Sequence, residues 1–273
     1  MSFTYYMLQI SPYLLFILLI ACTAFVTGCI THAFRKYHKV EILRAHNEVT
    51  GFIFLAVASF YGLLLSFVVF LVWDQLNSTR SNASKEGSSA LSLYNDIKFY
   101  PDTTASKKLM KVYLDYVYNV IDEEYPNMAK MAPSRKTPES LSIVFYEIEH
   151  INPKSSFHAQ LVGVMFSHLN EIATYRGLRI TSLDSEIPNI IWLPILLGGG
   201  ITIFFALLLD IENVRLHIFI NAMLGVFISM LIYIIIILSH PFTGSISIEP
   251  KAYKEIFTLE SWAHEKTIAT DKK

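Results

Sequence analysis

"TGFIFLAVASFYGLLLSFVVFLVWD", residues 50–74, runs without a break into "QLNSTRSNASKEGSSALSLYNDIKFY", residues 75–100, and this junction decides the fold. No Asp, Glu, Lys or Arg occurs from Val49 to Trp73. About 20 apolar residues in a helix cross a bilayer core, so the first stretch is a membrane span. Beyond Asp74 the apolar density falls, but Leu76, Ala83, Ala90 and Ile97 recur every seven residues, with Gly87 and Tyr94 in a second stripe position. The span is therefore predicted to continue past the membrane as one helix to about Phe99, where Pro101 and Asp102 mark a turn.

Three more segments have the length and apolarity of a span: 11–33, 188–209 and 216–239. The chain has 273 residues, of which 53% are hydrophobic and only 16% charged. A soluble domain carries nearer a quarter charged residues, so the apolar surplus requires lipid. The polar block 75–187 has helical periodicity throughout. A helix over 103–125 has an apolar face of Leu109, Val112, Tyr116 and Val120 and is predicted to stop at Pro126. "TPES" at 137–140 starts another, with Thr137 as cap. The last, about 155–183, carries Leu161, Val164, Leu169, Ile172 and Tyr175 on one side. The expected architecture is an all-α membrane protein with four transmembrane helices and a helical extramembrane insert between the second and third. Its divisions are a first hairpin (1–74), the insert (75–187), a second hairpin (188–241) and a tail (242–273). "SISI" in the tail has the pattern of a brief strand, and the remainder is expected to be mobile.

A net charge of −1 gives no electrostatic case for nucleic acid. Cys22 and Cys29 lie seven residues apart in the first span, roughly 10 Å along one helix and too far to bond. "VTGC" at 26–29 has the shape of a lipoprotein box, but no Lys or Arg precedes Arg35, so the span is expected to be retained. Arg35, Lys36, Lys39 and Arg44 fill the first loop. Positive-inside then places that loop in the cytoplasm, with both termini and residues 75–187 outside and Asp74, Asp184 and Glu186 at the outer ends.

The polar residues of the spans are the site candidates. Asn47 is of N-cap type, and Glu48 in the first turn meets the positive end of the helix dipole. Alternatively, Glu48 forms a ring at the mouth of an oligomeric pore, where carboxylates attract cations. Ser59, Gly62 and Ser66 share one face, near Leu55 and Trp73, suited to close helix packing or to lining a narrow pore. Asp74 is either an interfacial acid or a second ring. Gly198, Gly199 and Gly200, four residues after Pro194, imply close backbone contact, a hinge or a broken helix. Asn221 is expected to bond another helix, with Ser229 deeper in the same span. Arg176 and Arg179 can pair with Asp122, Glu123 and Glu124 inside the insert, or all five can be solvated. No metal-ligand set, cofactor motif or nucleophile–base set appears, so no enzyme is expected.

Six stretches together resemble bacterial membrane proteins with a bestrophin-like domain. They are "HNEVTGFIF" leading into "FYGLLLSFVVFLVWDQ", then "EEYPNM" (123–128), "YRGLRI" (175–180), "WLPILLGGGIT" (192–202) and "HPFTGSISIEP" (240–250). In that family Trp is common where this chain has Tyr125, and an acidic–basic step is common where it has Ser239-His240. The resemblance implies four spans with a polar insert, a motif loop of His240, Pro241, Phe242 and Gly244, and kinship with bestrophin anion channels. Two functions are consistent with this: a homo-oligomer conducting inorganic ions along its second span, or a non-conducting sensor, scaffold or assembly protein that binds a partner through the insert.

Overall fold

The computed structural model describes residues 10–37, 46–132, 134, 136–184, 188–244 and 246–270, without the side chains of 184, 189 and 261–270. Lys39, Arg44, Glu186 and the side chain of Asp184, used above for orientation, lie outside the described residues. The elements in order are α1 (Pro12–Tyr37), α2 (Asn47–Lys98), α3 (Thr103–Asn119), a π turn (Val120–Glu124), α4 (Tyr125–Ala129), α5 (Lys136–Glu149), α6 (Ser156–Thr181), a 3-10 turn (Ser182–Asp184), α7 (Asn189–Leu207), α8 (Val214–Leu238) and α9 (Lys251–Thr270). The protein is all-α, with four helices long and apolar enough to cross a membrane: α1, α2, α7 and α8. The chain divides into two compact units, Met1–Leu76 with Glu186–His240, and Asn77–Ser185 with Pro241–Lys273.

α2 is a single helix of 52 residues. Such a helix is about 78 Å long, far more than the ~30 Å hydrocarbon core. The heptad stripe predicted for its second half is the buried one: Leu76, Ala90, Tyr94 and Ile97 are nearly inaccessible.

In the membrane unit, α1 and α8 pack along a seam of small and polar residues. Lipid supplies no hydrophobic drive between helices, so close approach and hydrogen bonds hold such pairs. A Cβ at Gly225 would lie 2.7 Å from Thr27 Cγ2, and Asn221 Nδ2 donates to Thr31 Oγ1 at 3.1 Å. α2 contributes Tyr61, Leu65 and Val68 to an apolar layer with Ile195, Ile228 and Ile235. Outward side chains such as Phe25, Phe60, Phe204 and Phe219 are exposed, as lipid-facing positions are.

The extramembrane unit encloses one core built from Leu93, Ile97, Tyr113, Tyr116, Val144, Met165, Leu169 and Ile172. Asp102 caps α3, its carboxylate accepting from the Thr104 and Ala105 amides at 3.1 and 3.2 Å. The helix does not stop at Pro126. The Tyr125 amide reaches back to the Val120 carbonyl, and this wider π turn brings Pro126 into the first turn of α4, where the donor it lacks is not needed. α5 begins one residue before Thr137, which lies buried inside the first turn. Ser134 Oγ accepts the Thr137 amide at 3.4 Å, so Ser134 does the work assigned to Thr137.

The tail also departs from expectation. No strand occurs among the described residues: Ile248 donates to the Pro241 carbonyl at 2.8 Å and folds "SISI" back on its own loop. Residues 251–270 form helix α9, and Tyr253 and Ile256 are fully buried in the core. Gly87 permits this docking, because a Cβ there would lie 2.6 Å from Ala252 Cβ.

Candidate functional site

Each residue of a helix advances by about 100°, so Glu48, Ser59 and Ser66 fall within about 20° of one line along the membrane unit's part of α2. All three are exposed in the protomer, as are Leu55, Phe70 and Trp73 near the same line. Asp74 is exposed on the flank of this face. Ser59 donates its hydroxyl to the Leu55 carbonyl at 2.7 Å, leaving oxygen lone pairs as the groups it presents outward. A Cβ at Gly62 would meet nothing within 4 Å, so no contact inside the chain demands glycine there. The opposite face of α2, with Tyr61, Leu65, Val68 and Val72, is the buried one.

Asn47 is the first residue of α2, not its cap. Its side chain bridges to a distant loop: Oδ1 accepts the Asp210 amide at 2.9 Å, and Nδ2 donates to the Asp210 carbonyl at 3.4 Å. Arg35 Nη1 binds Asp210 Oδ1 at 3.1 Å, and Arg35 also donates to the Ile211 carbonyl. Asn47 thus ties the start of α2 to the α7–α8 link, while the neighbouring Glu48 is left exposed.

α7 remains one helix through Pro194 and the three glycines. Tyr61 lies flat against two of them: a Cβ on Gly198 would be 2.6 Å from Tyr61 Cδ2, and one on Gly199 would be 2.9 Å from the Tyr61 hydroxyl. That hydroxyl donates to the Ile195 carbonyl at 2.9 Å. Pro194 and Gly200 face outward, and a Cβ at Gly200 would touch nothing.

A second constellation lies in the extramembrane unit. Arg179, Glu86 and Glu124 are all fully buried. Arg179 Nε and Nη2 donate to the two Glu86 oxygens at 2.6 and 2.9 Å, and Nη2 also contacts Glu124 Oε1. Arg176 grips Glu124 from the other side, Nε donating to Oε2 at 3.0 Å. Tyr253 completes the Glu86 shell with a 2.8 Å bond, and the Tyr125 ring lies 4.6 Å from the Arg179 guanidinium. Burial works against the Arg179 charge, but Glu86 foremost, with Tyr125 and Glu124, holds its pKa well above the usual arginine range. Burial and then the negative Glu86 push the Tyr253 phenol far up, so it stays a proton donor. Two acids against two guanidiniums balance, the condition under which buried charge is tolerated.

Of the predicted pairs, the one with Glu124 forms; Glu123 instead meets Lys136 at 3.4 Å. Glu86 and Tyr253 had not been singled out. The motif loop joins this region through Phe242, whose ring stacks edge-on to Tyr125 at 6.1 Å, and through Thr243, which donates to the Ala129 carbonyl at 3.1 Å. Gly244 has φ 83, the left-handed conformation that favours glycine, while His240 is buried with Nδ1 2.9 Å from the Ser239 hydroxyl. Thus "EEYPNM", "YRGLRI" and "HPFTGSISIEP" all contribute to one cluster. Among the described residues, no group of three or more His, Cys, Asp or Glu side chains is placed to hold a metal ion.

No curated protein matches the sequence. Several crystal structures match the fold. One variant of a bacterial bestrophin homologue from Klebsiella pneumoniae shares 13% identity, with TM-score 0.64 over 87% of this chain and 96% of that one. A second variant shares 12%, with TM-score 0.65 over 87% and 97%. A zinc-phased structure of the homologue shares 13%, with TM-score 0.63 over 87% and 95%. The model of the bestrophin-like domain matches residues 11–253, nearly the whole chain, and the protein therefore belongs to the bestrophin-like family of membrane proteins.

Proposed function

We propose that the protein is the protomer of a homo-oligomeric ion channel in which the exposed face of α2 lines the conduction path. The supporting observation is that face itself: Ser59 and Ser66 are exposed on it, with the acid Glu48 at its start and Asp74 on its flank beyond the span. Rings of carboxylate at both ends of an uncharged path favour cations. Asn47, locked to Asp210, fixes where the Glu48 ring stands.

Cysteine scanning tests this on a background from which Cys22 and Cys29, both exposed, have been removed. Cysteines at Ser59 and Ser66 should react with water-soluble thiol reagents and block flux. Cysteines at Phe60 and Phe67, roughly 100° and 80° around the helix from Ser59, should stay inert. Equal protection at all four positions, with a silent planar bilayer and a monomeric mass in detergent, would remove the channel reading. Exposed Phe99, Tyr146 and Phe157 on the extramembrane unit support the second reading, a non-conducting protein that docks a partner there.

Four spans return the chain to its starting side, so residues 75–187 and both ends share one face of the membrane. The first loop taken alone points that face outward. Counted within about 15–20 residues of the spans, however, Arg80, Lys85, Arg176, Arg179, Lys251 and Lys254 offset Arg35, Lys36, Lys39, Arg44 and Arg215, and charge does not choose the side. Protease applied to sealed, uniformly oriented vesicles is expected to cut the insert and the tail together while sparing the loop, or the reverse. Cutting the insert but not the tail would break the four-span topology.

A further inference from the structure

The α1–α8 seam ends in three buried polar atoms with no hydrogen-bond partner among the described residues: His217 Nδ1, Asn221 Oδ1 and Arg35 Nε. His217 and Asn221 stand one turn apart on α8, as do Thr31 and Arg35 on α1. The Asn221–Thr31 bond fixes the register of the two helices, so one turn further His217 comes opposite Arg35. Arg35 and Asp210 are the charged groups that act on the His217 ring.

The neighbours fix the hydrogen-bonding role of each atom. His217 Nε2 faces the Ala206 carbonyl oxygen at 3.0 Å, so Nε2 carries the hydrogen, and Nδ1 of the neutral ring is a bare acceptor. Thr31 gives its own hydroxyl hydrogen to the Thr27 carbonyl at 2.7 Å and can only accept from Asn221. Asn221 must therefore present its NH2 to Thr31, leaving Oδ1 as the second bare acceptor. Arg35 has both terminal nitrogens engaged, by Asp210 and Ile211, and Nε–H is a bare donor.

We propose that these atoms form a buried site for one water molecule, which donates to His217 Nδ1 and Asn221 Oδ1 and accepts from Arg35 Nε. The occupant must donate twice and accept once, which water can do with one lone pair to spare. An anion would face two lone pairs, and a metal cation would face the Arg35 guanidinium. Toward the bilayer centre Thr27 packs on Gly225, and the Arg35–Asp210 bridge lies at the other end.

The test uses the intact protein in lipid, with labelled histidine and carbonyl-labelled leucine. Leu216-His217 is the only Leu-His pair in the sequence, so this residue is assigned among nine histidines without any substitution. Proton-detected solid-state NMR is expected to show a protonated Nε2 and an unprotonated Nδ1 that receives magnetisation from water. Asn221→Ala should weaken that transfer, because the shared water loses an anchor. A protonated Nδ1, an Nδ1 without contact to water, or a transfer unchanged in Asn221→Ala would each overturn the site.

Discussion

Arg179→Met should lower the stability of the extramembrane unit by about 3–5 kcal/mol, because it leaves buried carboxylates without their counter-charge. Glu86 would keep only the Tyr253 hydroxyl, and Glu124 only Arg176. In thermal unfolding of the purified protein the loss should appear as a fall in midpoint on the order of 10 °C or more. Loss of packing alone would also destabilise, so the cycle with Glu86→Gln carries the argument. Glu86→Gln/Arg179→Met removes the acid with the base and should be distinctly more stable than the sum of the single effects predicts, with a coupling of about 1–3 kcal/mol. An additive cycle would mean that Arg179 acts through its bulk against Tyr125 and Met128, and that the ion pair contributes nothing.

The framework was legible where a periodic pattern carried it. The four apolar runs and the seven-residue spacing from Leu76 to Ile97 gave the spans and the long α2, because both signals come from one helix burying one face. What escaped depended on partners remote in sequence. Glu86 follows a lysine in a serine-rich stretch and has the local look of a solvated face, yet its partners are 93 and 167 residues away at Arg179 and Tyr253. Asn47 is of cap type, but its bonds go to a backbone 163 residues on. Pro126 is a stop signal that a π turn absorbs. α9 had a readable pattern, since Pro250 accepts the first helical bond from Lys254 and Tyr253 precedes Ile256 by one turn. The loop before it, rich in Pro and Gly, has the composition of a tail.

Gly198→Leu should be the most damaging single change in the membrane unit, and comparison along the glycine triplet shows why. At Gly198 the added Cβ already falls 2.6 and 2.8 Å from two ring carbons of Tyr61, a buried side chain. Overpacking of this kind costs about 1–3 kcal/mol. Moving the ring also breaks the Tyr61–Ile195 hydrogen bond, worth about 0.6–2 kcal/mol between membrane helices. Gly199→Ala should be milder, since its Cβ meets the Tyr61 hydroxyl at 2.9 Å and Ile228 at 3.6 Å. Gly200→Ala meets nothing and should stabilise by up to about 1 kcal/mol through helix propensity. Stability in mixed detergent micelles would rank the alanine substitutions at all three positions, with Gly198→Ala the worst, and Tyr61→Leu should rescue Gly198→Ala by removing the ring it strikes. If all three alanine substitutions behave alike, Tyr61 is not the reason for the glycines. Flexibility of α7 itself, with Pro194 one turn earlier, would then be what they supply.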